Sequence, residues 1–430
     1  MDFLHKSSIW ETQRRWYEEH ALSAWKTGQL PSWISSNAFV AAKYANLILS
    51  FARDTWSSST ATENFEQQPI HIVEVGAGSG NLGFLVLKHL VNLREFWPAS
   101  NCFRYVLTDF APNIIEYWKN QENLRPFFDD GLLDYALFDC EGKGTMSSTN
   151  SSEIHLVRTG VTLSRSTLRS PVIVVANYVF SSLRMDHVQI IKVDDERVIH
   201  GATLLKRAEC TLSSPSTEGE GEGEGEGEGE GEGEREGEGE EEGEREGEGE
   251  LEVGNSDTKQ GVAADDKNVV MSIFPKDSTI QFHHVLWSDL DEQVVLPYAN
   301  IDANLSNIFQ KEYVESPGEN MSVCVPLGAI ECVRRLHAMA ADTDLLMLSG
   351  DKAFDQKSDY ESHQPQNPHV AFHGSLSFMV NNHCLKEYVR ELGGFTVDVP
   401  HRSTGFKVQG HVFGSRDRSQ YRCFLRKWCV

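Results

Sequence analysis

The chain has 430 residues, of which 40% are hydrophobic, so it is long enough for two or three globular domains. Its formal net charge is −25 at pH 7, but 18 Glu and two Arg in a Glu-Gly tract at 218–250 account for −16 and leave −9 for the rest. This balance argues against a nucleic-acid partner held by a broad basic surface.

The Glu-Gly tract contains no apolar residue, so we predict that it is disordered, within a loop that spans 213–268. No stretch of the sequence is long and apolar enough to span a membrane. The N-terminal residues lack the apolar core of a signal peptide and contain too many acids for a typical transit peptide. We expect a cytoplasmic protein, with mitochondria as the alternative compartment.

Cysteine and histidine spacing predicts no metal site. The eight cysteines form no C-x-x-C pair, which is typical of reduced thiols. Four histidines lie close together in the sequence, but no acid or cysteine completes a ligand set around them. These histidines are His363, His369, His373 and His383.

Residues 1–60 are predicted to form a helical N-terminal segment, because apolar residues recur there at helical spacing. Two helices are expected, separated by a polar stretch that begins at Leu30. Ser35, Ser36 or Asn37 would cap the second helix.

The remainder of the chain is predicted to be an α/β core at 70–190 and 325–430, interrupted by a β-rich insertion at 191–324. Predicted core strands cover residues 70–75, 103–108, 133–138, 171–176, 345–348 and 375–380. Predicted strands of the insertion cover residues 189–193, 197–205, 279–286 and 293–296. Short strands are predicted near the C-terminus at 395–399, 406–413 and 421–425.

The most informative segment is 70–83, where an apolar run ends at an acidic residue and three alternating glycines follow. An apolar helical stretch begins at once, so the order predicts a strand, a tight turn and a helix N-terminus, the nucleotide-binding corner of a doubly wound sheet. Glycine lets the backbone turn sharply and approach a ligand closely. The predicted cofactor-binding residues of this turn are Glu74, Gly76, Ala77, Gly78, Gly80 and Asn81.

The position of Glu74 favours one class of cofactor. A nicotinamide cofactor carries a pyrophosphate, which prefers bare N–H groups and the positive end of a helix. S-adenosylmethionine carries a sulfonium and an ammonium, which a carboxylate at the turn would favour. Residues 78–83 also fit the dinucleotide pattern G-x-G-x-x-G, but the next strand-like run ends at Asp109, well beyond the roughly 20 positions that pattern expects. We predict a methyl-donor site, and a nicotinamide enzyme remains an open alternative.

Polar residues follow each of the next predicted core strands, where ligands of open α/β sheets bind. Asp109 could accept hydrogen bonds from ribose hydroxyls, and Asp139 could receive the amino group of adenine. Asn177 and Tyr178 follow the fourth strand and would face the methyl group. The predicted cofactor-binding residues at these strand ends are Asp109, Phe110, Asp139, Cys140 and Asn177, and the predicted catalytic residues are Asn177 and Tyr178.

Together, the glycine motif at 73–82, the wide gap to Asp109 and the segment 177–181 resemble the class I S-adenosylmethionine-dependent methyltransferases and, within them, the MidA-like family. The resemblance covers most of residues 10–400. It implies a doubly wound, Rossmann-like α/β sheet with S-adenosyl-L-methionine as cofactor. It also implies that residues 35–37 approach the cofactor and that 375–394 hold the sixth strand and the last helix.

The same family includes a mitochondrial enzyme that methylates an arginine of a respiratory complex I subunit, which implies a protein side chain, with arginine as one candidate, as the substrate. The sequence departs from the family at Tyr178 and Ser181, where the family carries acids. A guanidinium acceptor would need such carboxylates to orient it and to take its proton. Asp351 and Asp186 are distant candidates for a base. A non-catalytic, cofactor-binding adapter or assembly factor is therefore the alternative function.

Overall fold

A mostly parallel sheet of eight strands forms the centre of the fold. The computed structural model describes residues 3–27, 30, 34–56, 68–97, 102–142, 152–193, 196–204, 282–287, 297–315, 320–362, 366–372, 375–398 and 405–428. Residues 1–205 and 270–430 belong to one compact unit. The predicted loop at 213–268 with its Glu-Gly tract and the predicted strand at 293–296 lie outside the described residues.

Seventeen strands and nine α-helices are found in the described residues. The strands are β1 (Ile70–Val75), β2 (Phe103–Asp109), β3 (Leu133–Leu137), β4 (Ile154–His155), β5 (Thr162–Leu163), β6 (Val172–Asn177), β7 (Asp186–Val193), β8 (Glu196–Leu204), β9 (Phe282–Leu286), β10 (Asn320–Val325), β11 (Leu345–Phe354), β12 (Glu361–Ser362), β13 (Val370–Phe372), β14 (Leu376–Phe378), β15 (Val380–Asn381), β16 (Phe395–Asp398) and β17 (Gly405–Phe413). The α-helices are α1 (Ile9–Lys26), α2 (Ala38–Trp56), α3 (Asn81–Asn92), α4 (Pro112–Lys119), α5 (Arg125–Asp129), α6 (Ala303–Phe309), α7 (Leu327–Met339), α8 (Asn382–Glu391) and α9 (Arg422–Trp428).

The strand order of the central sheet is β16-β17-β11-β6-β1-β2-β3, and the short β15 also pairs with β11. Strands β3, β2, β1, β6 and β11 are parallel, whereas β17 runs antiparallel to both β11 and β16. The chain therefore builds outward from β1 in one direction and then crosses to its other side. This is the predicted doubly wound, Rossmann-like fold, which the structure confirms.

Both faces of the sheet are covered, which explains its continuous apolar strands. All five residues of 172–176 are buried, as expected for a strand that contacts helices on both sides. Alternate residues of β1 belong to two different cores: Ile72 packs in the core that contains α2 and α3, and Val73 packs in the core that contains α7. Because five neighbouring strands of the sheet are parallel, their carboxyl ends lie along one edge.

The N-terminal segment forms the two helices that the sequence predicts. The polar residues between α1 and α2 were expected to cap the second helix, and the side-chain oxygen of Asn37 accepts a hydrogen bond from the backbone N–H of Val40 at 3.0 Å. This contact satisfies one of the otherwise unbonded donors of the first helical turn. The predicted capping role is confirmed for Asn37.

A second, antiparallel sheet has the order β12-β10-β7-β8-β9, and all of its strands except β12 lie in the connection between β6 and β11. Its strand β8 confirms the prediction at 197–205, and β9 confirms residues 282–286 of the strand predicted at 279–286. Two small hairpins, β4–β5 and β13–β14, complete the described strands. Among the described residues, no helix combines the length and hydropathy needed to cross a bilayer.

Two sequence predictions about the C-terminal region are wrong. The segment 421–425, predicted as a strand, begins helix α9, because both carboxylate oxygens of Asp54 accept backbone N–H groups of Cys423 and Phe424 at 2.9 and 2.8 Å. The segment 375–380, predicted as the sixth core strand, is divided between β14 and β15. Asn381 caps α8 by accepting from the N–H of Cys384, so the strand ends there, and β16 takes the sixth position.

Candidate functional site

A cleft of about 320 Å³ opens at the carboxyl ends of β1, β2, β3 and β6. Most of the predicted site residues line it, although they come from four separate strand ends. The predicted residues in its wall are Glu74, Gly76, Ala77, Gly78, Asp109, Phe110, Asp139, Cys140, Asn177 and Tyr178. Their convergence is a geometric fact, whereas their role in holding a cofactor stays a prediction.

The turn after β1 requires glycine because of its backbone angles and because protein side chains lie close to it. Gly76, Gly78 and Gly80 have φ angles of 60°, 55° and 75°, a left-handed conformation that other residues rarely adopt. A Cβ on Gly78 would lie 2.6 Å from the ring of Trp25, and one on Gly76 would lie 2.9 Å from Val179. The turn is therefore fixed by close neighbours as well as by its backbone.

Two predicted residues of this turn lie outside the wall of the cleft. A Cβ on Gly80 would face the ring of Trp118 at 3.1 Å, so this glycine lies against the protein interior. The side chain of Asn81 donates a hydrogen bond to the carbonyl of Ser36 at 2.9 Å and thereby joins the turn to the N-terminal segment. Their predicted contact with a cofactor stays a prediction.

Asp109 supplies the negative charge closest to the glycine turn. One of its carboxylate oxygens accepts the N–H of Gly78 and the other accepts the N–H of Ala111, both at 3.1 Å. Burial raises its pKa to about 6, while these N–H groups and the guanidinium of Arg14 act in the opposite direction. At pH 7 the carboxylate is mostly ionised and fixed at the mouth of the turn.

Glu74 lies in the wall of the cleft, and its side chain is buried. It accepts a hydrogen bond from the hydroxyl of Tyr105 at 2.9 Å and lies against Gly83 at the start of α3. Burial raises its pKa to about 8, so the neutral acid predominates at pH 7. Burial therefore opposes the negative charge that the sequence predicts for Glu74 at the turn, and the contact of Glu74 with a cofactor stays a prediction.

Arg14 of helix α1, which is not among the predicted site residues, contacts two of the predicted cofactor-binding residues. Its guanidinium forms two hydrogen bonds to the carboxylate of Asp139, at 3.2 and 3.0 Å. The same group lies over the ring of Phe110, 4.3 Å from its centroid. The contact joins residues 125 positions apart, so nothing local in the sequence could have revealed it.

Other side chains of α1 cover the cleft as well. Trp25 lies against the glycine turn, and the hydroxyl of Tyr17 lies 2.9 Å from the Oγ atom of Ser375. Gln13 donates to the carbonyl of Ser182 at 2.8 Å and accepts from the N–H of Leu376 at the same distance. Apolar spacing predicted that this segment is a helix, and the surface against which the helix packs includes the candidate site.

Asn177 is held by the N-terminal segment at the end of β6. Its amide donates to the hydroxyl of Ser35 at 3.0 Å, and its side-chain oxygen accepts from the hydroxyl of Tyr44 at 3.3 Å. The predicted approach of residues 35–37 to this end of the sheet therefore occurs through Ser35. These contacts fix the orientation of the asparagine side chain.

The next residue, Tyr178, is strained and partly exposed. It has a φ of 56°, an unfavourable value for a bulky residue, and its N–H donates to the carbonyl of Gly350 at 2.7 Å. Its ring stacks on that of Phe406 with a centroid distance of 5.6 Å and an interplanar angle of 5°. The backbone thus turns the ring toward the cleft, where 36% of the residue is exposed.

Residues of β11 and β14 complete this end of the cleft, and they are not among the predicted site residues. The Nζ atom of Lys352 donates to the carbonyl and the hydroxyl of Ser377 at 2.9 and 2.8 Å. Burial lowers the pKa of Lys352 to about 8, against the effect of Asp351. Asp351 itself is buried and accepts the N–H of Ser181 at 2.9 Å, and burial raises its pKa to about 6.

Asp186, the other candidate base, lies outside this cleft. Its carboxylate bonds to His5 at 2.9 Å and to the hydroxyl of Tyr298 at 3.3 Å. Within the described ranges, no group of three or more His, Cys, Asp or Glu side chains is arranged to hold a metal ion. His363 and His373 lie outside those ranges.

Comparison with known proteins identifies similar solved structures but no family. No protein-family model matches the chain, and no curated protein matches it. A COG1565 superfamily member from Burkholderia thailandensis, described as a candidate methyltransferase and bound to S-adenosyl-homocysteine, aligns with a TM-score of 0.39 and 10% identity over 83% of this chain. The match spans 62% of the length of that relative.

Two further structures are similar to the chain. A native structure of a COG1565 superfamily protein from the same organism has a TM-score of 0.45 and 9% identity, and covers 96% of both chains. The plantazolicin methyltransferase BpumL, in complex with a substrate analogue and S-adenosyl-homocysteine, has a TM-score of 0.19 and 11% identity over 41% of this chain and 53% of its own. Because all three TM-scores are below 0.5, the fold assignment rests on the strand order given above.

Proposed function

We propose that the chain is a class I S-adenosylmethionine-dependent methyltransferase of the MidA-like type. The observation that carries the proposal is the convergence of four strand ends on one cleft, with a left-handed glycine turn and an ionised Asp109 beside it. Open α/β sheets bind their ligands at this edge. The glycine motif at 73–82 supports the choice of methyl donor.

The residues of the cleft suit the parts of S-adenosylmethionine. Gly76 and Gly78 line the cleft, so the backbone of the turn is available to the methionine portion. The ionised carboxylate of Asp109 suits hydroxyl donors of a ribose, and the ring face of Phe110 suits a planar base. Asn177, fixed by Ser35 and Tyr44, would border the methyl group.

The chemistry asks mainly for positioning. S-adenosylmethionine supplies a methyl group bonded to a positively charged sulfur. An acceptor lone pair forms the new bond to the methyl carbon as the sulfur–carbon bond breaks and its electron pair passes to sulfur. The chain contributes by orienting both partners and by excluding water, which α1 does by covering the cleft with Trp25 and Tyr17. A protein side chain is the proposed acceptor.

Titration calorimetry with S-adenosylmethionine and S-adenosylhomocysteine tests the proposal. We expect micromolar dissociation constants, about −8 kcal/mol, for the wild type. Asp109→Asn should weaken binding about tenfold or more, because it removes the negative charge and places the amide NH₂ group against the N–H of either Gly78 or Ala111. The matched control, Asp130→Asn at an exposed position, should bind as the wild type does. No binding of either ligand, or tight binding of a nicotinamide dinucleotide instead, would refute the proposal.

A non-catalytic adapter is the second candidate function. The observation in its favour is that Tyr178 and Ser181 stand where the MidA-like family carries acids. It shares the expected binding of S-adenosylhomocysteine with an enzyme but differs in turnover. Incubation of the protein with cell extract and methyl-labelled S-adenosylmethionine separates the two, since an enzyme transfers label above a heat-inactivated control and an adapter does not.

A further inference from the structure

We propose that the methyl acceptor is a carboxylate, bound by Lys352 beside the stacked rings of Tyr178 and Phe406. The inference rests on the proposed function and specifies the chemistry of its acceptor. It replaces the guanidinium that the family resemblance suggests with an acceptor of opposite charge. Three features of the cleft support it: a cation beside an apolar platform, carboxylates that are all engaged by the protein, and the absence of any need for a base.

The first feature is the arrangement of Lys352 and the two rings. Lys352 lies directly opposite Phe406 in the antiparallel pairing of β11 with β17, so the two side chains share one face. Phe406 in turn stacks on the partly exposed Tyr178 at the end of β6. Ser377 accepts two hydrogen bonds from the ammonium, which has three donors in all. The remaining donor and the positive charge suit a carboxylate whose carbon skeleton lies on the rings.

The second feature is the state of the acids. Four carboxylic acids line the cleft among the described residues, and each is already bonded. Glu74 accepts from Tyr105, Asp109 from two backbone N–H groups, and Asp139 from Arg14. Glu141 accepts the N–H of Arg184 at 3.1 Å and forms an ion pair with its side chain at 3.5 Å. A guanidinium or ammonium acceptor would therefore have to share a carboxyl group that already has a protein partner.

The third feature is the proton balance of the reaction. A guanidinium must lose a proton before or during methylation, which calls for a nearby base. A carboxylate has no proton to lose: one oxygen lone pair forms the O–CH₃ bond, the S–CH₃ bond breaks with its electron pair going to sulfur, and the products are a methyl ester and S-adenosylhomocysteine. Both reactant charges, the sulfonium and the carboxylate, are neutralised. The reaction therefore needs positioning alone, which is what this cleft offers.

Benzoate and benzamidine provide a matched test, since they have nearly the same shape and opposite charge. The protein is first titrated with S-adenosylhomocysteine, and the saturated complex is then titrated with each probe by ligand-observed NMR. We expect benzoate to bind and benzamidine to bind at least tenfold more weakly. Lys352→Met should weaken benzoate binding about tenfold or more, Lys352→Arg should restore most of it, and the exposed-site control Lys88→Met should leave it unchanged.

The outcomes distinguish a failure of the proposed function from a failure of the acceptor assignment. Failure of S-adenosylhomocysteine to bind the wild type overturns the proposed function and this inference with it. If S-adenosylhomocysteine binds, three results overturn the acceptor assignment alone. These are preferential binding of benzamidine, no binding of either probe, and benzoate binding that Lys352→Met does not change. Unchanged affinity of Lys352→Met for S-adenosylhomocysteine shows that the variant is folded, so a loss of benzoate binding reports on the acceptor side of the cleft.

Discussion

Glu74 combines full burial with an ionisable group, so it makes the stability of the fold depend on pH. Burial raises its pKa from 4.5 to about 8, and the hydrogen bond from Tyr105 reduces that rise. Because the pKa in the folded state is the higher one, the stabilisation is fully present below about pH 4.5 and is lost as the pH rises through 8. At about 1.4 kcal/mol per pKa unit, the loss is on the order of 5 kcal/mol.

Glu74→Gln removes this ionisation and keeps an oxygen that can accept from Tyr105. We expect the variant and the wild type to have similar free energies of unfolding at pH 5, and the variant to be more stable by several kcal/mol at pH 8.5. Urea denaturation at four pH values measures the difference. The exposed-site control Glu122→Gln should follow the wild type throughout. A constant difference between variant and wild type would mean that Glu74 is ionised at neutral pH in the folded protein.

Residues whose role depends on local backbone geometry could be predicted from the sequence, and those that depend on distant partners could not. The left-handed glycines of the turn after β1 follow from the order strand, turn, helix, which is visible within 70–83. The raised pKa of Glu74 comes from its burial by the folded chain, and the hydrogen bond that opposes the rise comes from Tyr105 in the neighbouring strand, 31 residues away. Arg14 and Lys352 could not be predicted for the same reason, because each reaches the cleft through contacts with a residue of another element.

At the scale of elements, helix α1 covers the cleft and contacts the residues that are proposed to receive the adenine. Arg14 forms two hydrogen bonds to Asp139 and lies over Phe110, the surfaces proposed to receive the base of the cofactor. A cofactor that uses both residues must displace this guanidinium, and part of its binding energy is lost in doing so. Arg14→Met keeps most of the apolar length of the side chain while removing the charge and the hydrogen bonds.

We therefore expect Arg14→Met to bind S-adenosylhomocysteine about three- to tenfold more tightly than the wild type, a gain of about 1 kcal/mol. The neighbouring Arg15 is exposed, so Arg15→Met removes the same charge from the same helix and should leave the affinity unchanged. Calorimetric titration of the three proteins measures the effect. Weaker binding by Arg14→Met would show that the guanidinium contacts the cofactor and does not compete with it.

Strands whose apolar pattern is local were predicted correctly. A helix whose first turn is capped by a residue distant in the sequence was not. The continuous apolar run of β6 and the strand before the glycine turn were both found where expected. Helix α9 begins where Asp54, more than 360 residues earlier, accepts two of its backbone N–H groups. An apolar segment without its own cap predicts a strand, and a distant carboxylate turns it into a helix start.

At the scale of the whole molecule, the alternation of strands and helices was enough to predict the doubly wound sheet and the interruption between β6 and β11. The composition of the second sheet was not predictable to the same extent. Its strand β10 pairs on one side with β7 and on the other with β12, which follows β11 in the chain. Such pairings join a segment that precedes a core strand in the sequence to one that follows it, so no local pattern predicts them.

Deletion of the Glu-Gly tract tests whether the stability of the folded part depends on its most charged segment. Removing residues 218–250 shortens the connection between β8 and β9 by 33 residues, which changes the loop-closure term by about 0.5 kcal/mol in favour of folding. It also reduces the net charge from −25 to −9 and with it any self-repulsion. Since the tract has no apolar side chain to bury, we expect the Tm to stay equal or rise by about 1–2 °C.

Differential scanning calorimetry of the deletion variant measures this Tm. A second variant, in which the tract is replaced by a Gly-Ser sequence of equal length, separates the effect of charge from that of loop length. If both variants have a Tm at or slightly above that of the wild type, the tract contributes no packing to the fold. If the deletion lowers the Tm by more than about 5 °C while the Gly-Ser replacement does not, the length of the connection is needed to let β9 pair with β8. If both lower it, the glutamates contact the folded part, and the prediction that they form a solvated loop is wrong.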